Sequence, residues 1–373
     1  MRQEKKILVI VGTRPNFIKV TQFKRVARQY PHLQVKILHT SQHYSDEMSK
    51  TFFNELDLHP DYFLDIPNHL SPVSQMAEIM KGIEHFIVNE FYPHLMIVVG
   101  DVNSTLAGAL VANKMNIPLA HVESGLRSFD HTMPEEYNRI LTDKMSHYFF
   151  VTEKDAVINL KNESVSEEKI FFVGNTMIDT LTAYQDKIEA SGILDKLQLH
   201  PKQYILLTLH RPNNVDTPDG LKLIIQLIQS IHDTIGNHIQ HIVFPIHPRT
   251  KNNFAKFNLL TQLQSVPSLV LTEPQSYLNF QKLIRHAYCV VTDSGGVQEE
   301  TTFLKIPCIT LRPSTERPIT LWEGSNILLP FDIPTISQYL RGIQSNKHPN
   351  YQIPEYWDGK ATERIFRILS DML

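Results

Sequence analysis

Short apolar segments alternate with amphipathic ones from one end of the chain to the other. This alternation is typical of repeated strand and helix units, whose strands pair into parallel sheets. A polar, helix-like stretch at 176–200 divides the apolar segments into two series. Strands are predicted near residues 7–11, 35–39, 95–99, 118–122, 147–151 and 170–173, and then near 204–209, 241–246, 268–271, 287–291 and 307–311.

The predicted fold is α/β, with two Rossmann-like, doubly wound parallel-sheet domains facing a central cleft. A length of 373 residues exceeds what one ordinary hydrophobic core organises. We expect an N-terminal domain at 1–175 and a C-terminal domain at 176–357, with a closing helix at 358–373. In such sheets the ligand lies at the carboxyl ends of the strands, so the loops after the strands are where function is expected.

Composition excludes several classes of partner. The net charge is −3, from 36 basic and 39 acidic side chains, so there is no basic excess for nucleic acid. The first apolar run, 7–11, ends at Gly12 and is too short for a targeting segment, and no stretch is long and apolar enough for membrane insertion. Cys289 and Cys308 are predicted to be buried thiols in a reducing, cytoplasmic location.

The segment 292–300 predicts an anion site that takes a nucleotide diphosphate. It follows a predicted strand and opens a predicted helix, so backbone N–H groups at Gly295 and Gly296, together with the hydroxyl of Ser294, can surround a phosphate. Glu300, one helical turn further on, is placed to accept hydrogen bonds from ribose hydroxyls. The alternative is an ordinary capped helix after a strand, with no ligand.

Three carboxylates in the first half are candidates for acid–base catalysis. Asp101 and Glu123 follow predicted strands, and Glu135 lies in the sequence Pro134-Glu135-Glu136. Paired carboxylates in a partly dry site can serve as base and acid. Two structural alternatives remain: Asp101 as the N-cap of the next helix, and Glu135 as a first-turn acid that complements the helix dipole.

Cationic and histidine side chains occur where a departing diphosphate would need them. Arg14 and Lys19 follow the first strand, and His210 and Arg317 lie in the second half. The chain has no glycine motif for NAD, no P-loop and no metal-binding cluster, and the pair His238 and His241 is interpreted as a surface pair. We therefore expect neither a cofactor nor a metal.

Taken together, the motifs resemble those of bacterial non-hydrolysing UDP-N-acetylglucosamine 2-epimerases over nearly the whole chain. They occur in order as Gly12-Thr13-Arg14-Pro15, Gln42-His43, Gly100-Asp101, His121-Val122-Glu123-x-Gly125-Leu126-Arg127, Pro134-Glu135-Glu136-x-Asn138-Arg139, Gly174-Asn175-Thr176-x-Ile178-Asp179, His210-Arg211, Asp293 to Glu300, and Thr315-Glu316-Arg317-Pro318.

The resemblance implies a GT-B fold with a C-terminal helix returning to the first domain, and anti elimination of UDP followed by its re-addition. It implies a UDP-sugar substrate, a second UDP-GlcNAc as activator in some members, and a homodimer. By the same resemblance, residues are assigned to three roles: acid–base catalysis by Asp101, Glu123 and Glu135 with assistance from His210; phosphate binding by Arg14, Lys19, Ser294, Gly295, Gly296 and Arg317; and ribose and uracil binding by Glu300 and Phe280.

Two departures from the family pattern stand out. Asn16 replaces the acid of the usual GTRPE motif, and Pro212-Asn213 alters the usual HRREN motif. These changes put the activation by a second UDP-GlcNAc in doubt. The motifs also leave open the C3 and C6 substituents of the sugar. A related epimerase of UDP-2,3-diacetamido-glucuronate or of a deoxy-amino sugar, a GT-B glycosyltransferase, a hydrolysing epimerase and a UDP-sugar sensor remain as alternatives.

Overall fold

The computed structural model describes residues 3–40, 53–67, 70–235, 239–344 and 351–373, and within these ranges Arg14, Ile235 and Gln344 are described by their backbone alone. Gln42, His43 and His238 lie outside the described residues, as does the side chain of Arg14. The chain divides into two compact units, Met1–Ala183 with Glu355–Leu373, and Tyr184–Pro354.

The first unit contains one parallel sheet with the described strand order β3-β2-β1-β4-β5-β6-β7. Its strands are β1 (Lys5–Val11), β2 (Leu33–His39), β3 (Tyr62–Phe63), β4 (Leu95–Val99), β5 (Leu119–Val122), β6 (Tyr148–Val151) and β7 (Ile170–Phe172). Its described helices are α1 (Arg14–Val20), α2 (Phe23–Ala27), α3 (Pro72–Asn89), α4 (Asn103–Lys114), α5 (Pro134–Met145), α6 (Lys154–Asn162) and α7 (Thr176–Ala183), with a 3-10 turn at Glu167–Lys169.

The second unit contains a parallel sheet with the order β10-β9-β8-β11-β12-β13. Its strands are β8 (Tyr204–Thr208), β9 (His241–Pro245), β10 (Leu269–Thr272), β11 (Cys289–Thr292), β12 (Cys308–Leu311) and β13 (Asn326–Leu329). Its described helices are α8 (Gln185–Glu189), α9 (Ile193–Lys196), α10 (Pro212–Val215), α11 (Pro218–Ile235), α12 (Pro248–Lys256), α13 (Leu260–Gln264), α14 (Tyr277–His286), α15 (Gly295–Leu304), α16 (Ile319–Trp322) and α17 (Ile333–Gln344).

Both sheets reverse their strand order at one point, between β1 and β4 in the first unit and between β8 and β11 in the second. Parallel sheets of this kind bind ligands at such a reversal, because the loops after the two central strands turn to opposite faces and leave a crevice. The carboxyl ends of β1, β4 and β5 carry Lys19, Asp101 and Glu123, and those of β8 and β11 carry His210 and Ser294. These five predicted site residues therefore lie at or beside the reversals.

All the predicted strands are confirmed, and the structure adds two that the pattern did not indicate. Both additions, β3 and β13, are edge strands. β3 has two exposed residues, and β13 has only three apolar residues after Asn326. Central strands such as β4 are apolar throughout because helices cover both faces, whereas an edge strand need not be.

The two cysteines are buried, as the sequence predicted. Cys289 and Cys308 are free, buried thiols on adjacent strands, and burial raises the pKa of Cys308 to about 12. Within the described ranges, no helix combines the length and the apolar character that crossing a membrane requires.

Helix α7 belongs to the first unit, although the sequence placed the domain boundary at 175/176. The Thr180 hydroxyl donates to the Ile18 carbonyl and lies 2.6 Å from the Thr21 hydroxyl, so α7 is bonded to α1. The division between the compact units falls after Ala183.

The C-terminal segment is joined to the first unit by the motif that begins at Gly174. Gly174 has φ +92°, and a Cβ there would collide with the Tyr356 carbonyl, so the close approach requires glycine. Trp357 is buried and donates its indole N–H to the Thr152 carbonyl (3.1 Å). Asp179 accepts from the backbone N–H groups of Ala361 (3.0 Å) and Thr362 (2.6 Å), which lie in the first turn of α18 (Ala361–Met372). The last helix is therefore capped by a side chain from α7.

Asp179 should make stability depend on pH. Burial raises its pKa from 3.8 to about 6, although the hydrogen bonds from Thr362 and Ala361 oppose the rise. The folded protein thus holds this proton more tightly than the unfolded chain does, and the resulting stabilisation is lost as pH rises through about 6. Relative to Asp179→Asn, the unchanged protein should be less stable at about pH 7 than at about pH 4.

Urea unfolding at the two pH values tests this expectation. Asp371→Asn, an exposed acid on α18, the helix that Asp179 caps, is the matched control and should track the unchanged protein. Parallel stability curves for Asp179→Asn and the unchanged protein across this range would refute the assignment.

Candidate active site

The first cluster of functional side chains lies at the carboxyl ends of β1, β4 and β5. Lys19, in the last turn of α1, is buried and its Nζ forms an ion pair with Oε2 of Glu123. Glu123 has φ +73°, a left-handed conformation that is rare outside glycine and costs of order 1–3 kcal/mol. A Cβ on Gly100 would lie 3.2 Å from Lys19 Nζ, so glycine allows the β4 loop to approach this pair. Lys19, predicted to bind phosphate, thus contacts a catalytic candidate.

Asn16 has a local role that its family counterpart, an acid, could fill only in part. Its Oδ1 accepts from the backbone N–H groups of Gly12 (3.3 Å) and Thr13 (3.4 Å), as the acid of a capping box would. Its Nδ2 also donates to the Val99 carbonyl at the end of β4 (2.9 Å). An ionised carboxylate cannot donate that bond. The substitution therefore links the start of α1 to the strand that leads into Asp101.

Asp101 is held by an arginine. Helix α4 begins at Asn103, and its N-cap is Val102, which makes no side-chain cap bond. The Asp101 carboxylate pairs with Nη2 of Arg139 on α5, and its backbone carbonyl accepts from Asn138 Nδ2 (2.9 Å). The N-cap position thus falls one residue after Asp101.

The two acids that open α5 differ completely in environment. Glu136 is fully buried, pairs with Nη1 of Arg139, and accepts from Ser128 N (3.0 Å), Ser128 Oγ (2.8 Å) and Phe129 N (2.9 Å). The side chain of Glu135 is half-buried and makes no hydrogen bond or ion pair with any residue in the described part of the chain. Both occupy the first turn, as the dipole argument expected. Glu136 has a structural role here, and Glu135 is left available to a substrate.

A buried polar network connects β5 to α5 and α6. His121 Nδ1 lies 2.6 Å from Asp143 Oδ1, and His121 Nε2 lies 2.8 Å from the Gly100 carbonyl. The other oxygen of Asp143 forms an ion pair with Arg127 Nη2 (2.7 Å) and accepts from Gly125 N (3.1 Å), and Arg127 Nε donates to Glu163 (2.8 Å). Burial alone would raise the pKa of Asp143, but His121 and Arg127 outweigh that effect and lower it.

The second cluster, in the other unit, contains the predicted anion loop. β11 ends at Thr292, Ser294 is the N-cap, and α15 begins at Gly295, as predicted. The Ser294 side chain makes no cap bond in this helix. A Cβ on Gly295 would lie 2.6 Å from Glu316 Oε1, so a larger residue would require that carboxylate to shift. The strand, glycine turn and helix start therefore form the arrangement that binds phosphates in other proteins.

Two buried ion pairs join acids and arginines beside this loop, one to a residue of α15 and one within the segment after β12. Arg317 Nε lies 2.9 Å from Glu299 Oε1, and Arg312 Nη2 lies 2.9 Å from Glu316 Oε2. Glu300, the predicted ribose ligand, is also buried. Arg317, predicted to bind phosphate, is thus already paired with a carboxylate, and the charge around the loop is balanced by acids.

His210 is positioned by a buried aspartate. Asp293 is fully buried and accepts from the backbone N–H groups of His210 (3.0 Å) and Arg211 (2.9 Å), and from Asn214 Nδ2 (3.0 Å). His210 Nδ1 lies 3.2 Å from Asp293 Oδ1. Burial lowers the pKa of His210, and the charges of Arg211 and other arginines add to this, while Asp293 opposes it. His210 is therefore neutral near pH 7 and can donate to Asp293 from Nδ1.

Phe280, predicted to stack on uracil, lies on α14 and is partly buried against the core around β8 and β11. Sequence reasoning assigned no role to several residues that organise the two clusters. One of their pairings, Glu136 with Arg139 on α5, follows helical spacing and could have been found that way. Others join distant segments and leave no local signal: His121, Arg127, Asp143, Glu163, Asp293 and Glu299.

The two parallel-sheet units and their strand-end clusters define a GT-B-like α/β protein. A family model described as UDP-N-acetylglucosamine 2-epimerase matches residues 25–370. The chain belongs to the UDP-N-acetylglucosamine 2-epimerase family, and the resemblance seen in its motifs is confirmed.

Individual relatives are similar over nearly their full length. A UDP-N-acetylglucosamine 2-epimerase of Methanocaldococcus jannaschii is 43% identical over 369 residues, which cover 98% of this chain and 99% of that protein. The crystal structure of the Methanocaldococcus jannaschii UDP-GlcNAc 2-epimerase in complex with UDP-GlcNAc and UDP has a TM-score of 0.88 at 42% identity, covering 98% and 99%. A UDP-2,3-diacetamido-2,3-dideoxy-D-glucuronate 2-epimerase of Pseudomonas aeruginosa is 38% identical over 373 residues, covering 98% and 100%.

Proposed function

We propose that this protein is a non-hydrolysing 2-epimerase that interconverts UDP-GlcNAc and UDP-ManNAc. The observation that carries the proposal is the placement of Asp101, Glu123 and Glu135 at strand ends and a helix start of one unit, in a chain of the 2-epimerase family. A glycosyltransferase would need one base and an acceptor site, and a sensor of UDP-sugars would need no set of carboxylates.

The proposed reaction is an anti elimination followed by re-addition. The C2–H bond breaks, its electrons form the C1–C2 double bond of 2-acetamidoglucal, UDP leaves with the C1–O electrons, and a carboxylate takes the proton. UDP then adds back to C1 while a proton is delivered to C2. Because C2 inverts, the proton leaves from one face and arrives on the other, which requires one ionised and one protonated group.

The ion pairs suggest how the three carboxylates divide these tasks. Lys19 pairs with Glu123, and Arg139 pairs with Asp101. Glu135 has no cationic partner among the described residues. We therefore assign to Glu135 the return of the proton to C2.

The second unit is proposed to bind UDP. The helix start at Ser294, Gly295 and Gly296 offers N–H groups to the diphosphate, and His210, neutral and held by Asp293, can donate or accept a hydrogen bond there. We assign Arg14 and Arg317 to the phosphates as well, Glu300 to the ribose and Phe280 to the uracil. C2–H is not activated by a carbonyl, so this stabilisation of departing UDP is essential to the rate.

Incubation of dialysed enzyme with UDP-GlcNAc in EDTA, followed by proton NMR, tests the function. We expect UDP-ManNAc to accumulate to an equilibrium mixture without added metal or cofactor. Free ManNAc and UDP as end products would establish the hydrolysing reaction instead. Binding without turnover would support the sensor, and turnover that requires an acceptor sugar would support the glycosyltransferase.

A second candidate substrate is UDP-2,3-diacetamido-2,3-dideoxy-glucuronate. The 38% identical Pseudomonas aeruginosa relative, which aligns over its whole length, is named for the 2-epimerisation of that sugar. Comparison of kcat/KM for the two UDP-sugars decides between them. A higher value for the diacetamido sugar would transfer the assignment to it and leave the elimination mechanism intact.

Glu300→Gln should weaken UDP binding by about 1.5–3 kcal/mol, the contribution of a hydrogen bond to a charged group. Calorimetry with UDP measures the change. Glu323→Gln, an exposed acid in the same unit, is the control and should leave affinity unchanged. If the two variants bind UDP equally well, Glu300 does not hold the ribose.

The assembly and the pathway are also proposals. We expect a homodimer and a role in supplying ManNAc-type sugars for a surface polysaccharide. A second UDP-GlcNAc as activator is testable by the curvature of rate against substrate concentration. The altered motif at Pro212-Asn213, at the start of α10, predicts that this curvature is weak.

A further inference from the structure

The geometry around His121 points to a role that the family motifs do not state. Both of its ring nitrogens lie against oxygen atoms, Asp143 Oδ1 at 2.6 Å and the Gly100 carbonyl at 2.8 Å. A carbonyl can only accept, so Nε2 carries a proton. A hydrogen bond joins Nδ1 to Asp143 as well.

Asp143 is itself fixed by further partners. Its other oxygen lies 2.7 Å from Arg127 Nη2 in an ion pair and accepts from Gly125 N (3.1 Å). Arg127 also donates from Nε to Glu163, which pairs in turn with Lys144. His121, fully buried, therefore joins the Gly100 carbonyl to a carboxylate that is held in place.

The segment that His121 holds leads directly into a proposed catalytic group. Gly100 has φ +67°, its N–H donates to the Val122 carbonyl (3.0 Å), and its own carbonyl accepts from His121. The next residue is Asp101. His121 itself is on β5, two residues before Glu123, so one ring connects the two strand ends that carry these carboxylates.

We propose that His121 acts as a positioning residue, a buried link that fixes the β4 loop to β5 and so sets the placement of Asp101 relative to Glu123. The proposal rests on the proposed function for its effect on rate, but the two hydrogen bonds of the ring do not depend on that function. Misplacing a catalytic group by about 1 Å can cost on the order of 10²-fold in rate.

Two substitutions separate the two bonds of the ring. Asn places its amide near the position of Nδ1, so His121→Asn can still donate to Asp143 but cannot reach Gly100. Gln places its amide near the position of Nε2, so His121→Gln can still donate to Gly100. We expect His121→Asn to lower kcat by about 10²-fold with KM changed by less than about 3-fold, and His121→Gln to recover about 10-fold of that loss.

The matched control is His147→Asn. His147 precedes β6 and lies beside Leu119, the first residue of β5. His147 Nδ1 accepts from Leu119 N (3.2 Å), an acceptor role that the Asn oxygen can take over. This variant should retain the unchanged kcat. Wild-type kcat in folded His121→Asn would overturn the proposal, as would equal losses in both His121 variants with KM rising in step.

Nitrogen-15 NMR of histidine-labelled protein tests the two bonds directly. One histidine ring N–H resonance should exchange slowly with solvent, as expected for a fully buried donor, and it should vanish in either His121 variant. Its absence from the unchanged protein would overturn the proposal. Failure of the unchanged protein to epimerise any UDP-sugar would instead refute the proposed function and leave this measurement decisive for His121.

Discussion

Glu123→Gln is expected to lower kcat by roughly 10²–10⁴-fold, the range for loss of a general acid or base. The amide keeps the shape of the side chain but cannot take a proton from C2. Asp101→Asn should have a loss in the same range. The affinity for UDP should change little in either variant, because Ser294 and Glu300, the proposed UDP ligands, belong to the other unit.

Measuring turnover in D2O makes this prediction specific. Elimination requires deuterium from the solvent to appear at C2 of the product, and the variants should slow its incorporation together with epimerisation. Glu84→Gln, an exposed acid on α3, is the control. Epimerisation with retention of hydrogen at C2 would rule out elimination. Because interacting carboxylates titrate as a set, pH profiles alone will not separate their roles.

Glu135→Gln distinguishes the three-carboxylate mechanism from a simpler one. If Glu135 only complements the dipole of α5, its loss should cost about 0.3–1 kcal/mol of stability and little activity. If it returns the proton to C2, kcat should fall as far as in Glu123→Gln. A fully active Glu135→Gln enzyme would sink the three-carboxylate model.

Asp293→Ala is expected to destabilise the second unit by about 3–5 kcal/mol, the usual cost of removing one partner from a buried charged network. The alanine would leave the N–H groups of His210 and Arg211 without their acceptor and would remove one of the two acceptors of the Asn214 amide. His210 would also lose the carboxylate beside its Nδ1. Both stability and UDP affinity should therefore fall.

Hydrogen exchange followed by mass spectrometry can localise the effect of Asp293→Ala. A chain of two units need not unfold in one step, so a single unfolding midpoint would be ambiguous. Peptides from β8 and β11 should lose protection, while peptides from β4 and β5 keep it. Asp219→Ala, which removes an exposed partner of Lys222, is the control and should cost less than about 1 kcal/mol. Unaltered protection of β8 in Asp293→Ala would contradict the role given to Asp293.

How much of this structure follows from the sequence depends on how local the interaction is. Every strand covered by helices on both faces could be predicted from its apolar run, and the edge strands β3 and β13 could not. The anion loop at Ser294 was also predictable, since strand, turn and helix start are neighbours in sequence. The ion pair of Lys19 with Glu123 was not, because it forms only when β1 and β5 are brought into one sheet.

The candidate site shows the same limit at the level of single residues. The motif Pro134-Glu135-Glu136 indicated carboxylates at a helix start, but it could not show that Glu136 is buried on Arg139 while Glu135 has no partner among the described residues. Likewise, a histidine within the apolar strand β5 gave no sign of its two acceptors. Such differences arise from packing between segments, which periodicity does not record.

The capping of α18 by Asp179 has a consequence for the order of events during synthesis. A ribosome makes the chain up to Ala183 first, then all of Tyr184–Pro354, and only afterwards the segment that contains Trp357 and α18. Until that segment emerges, Gly174 lacks its contact with Tyr356, and the carboxylate of Asp179 lacks the N–H groups of Ala361 and Thr362. The earlier unit must therefore wait for the later one, and a nascent chain stalled before Glu355 would present an incomplete surface to chaperones.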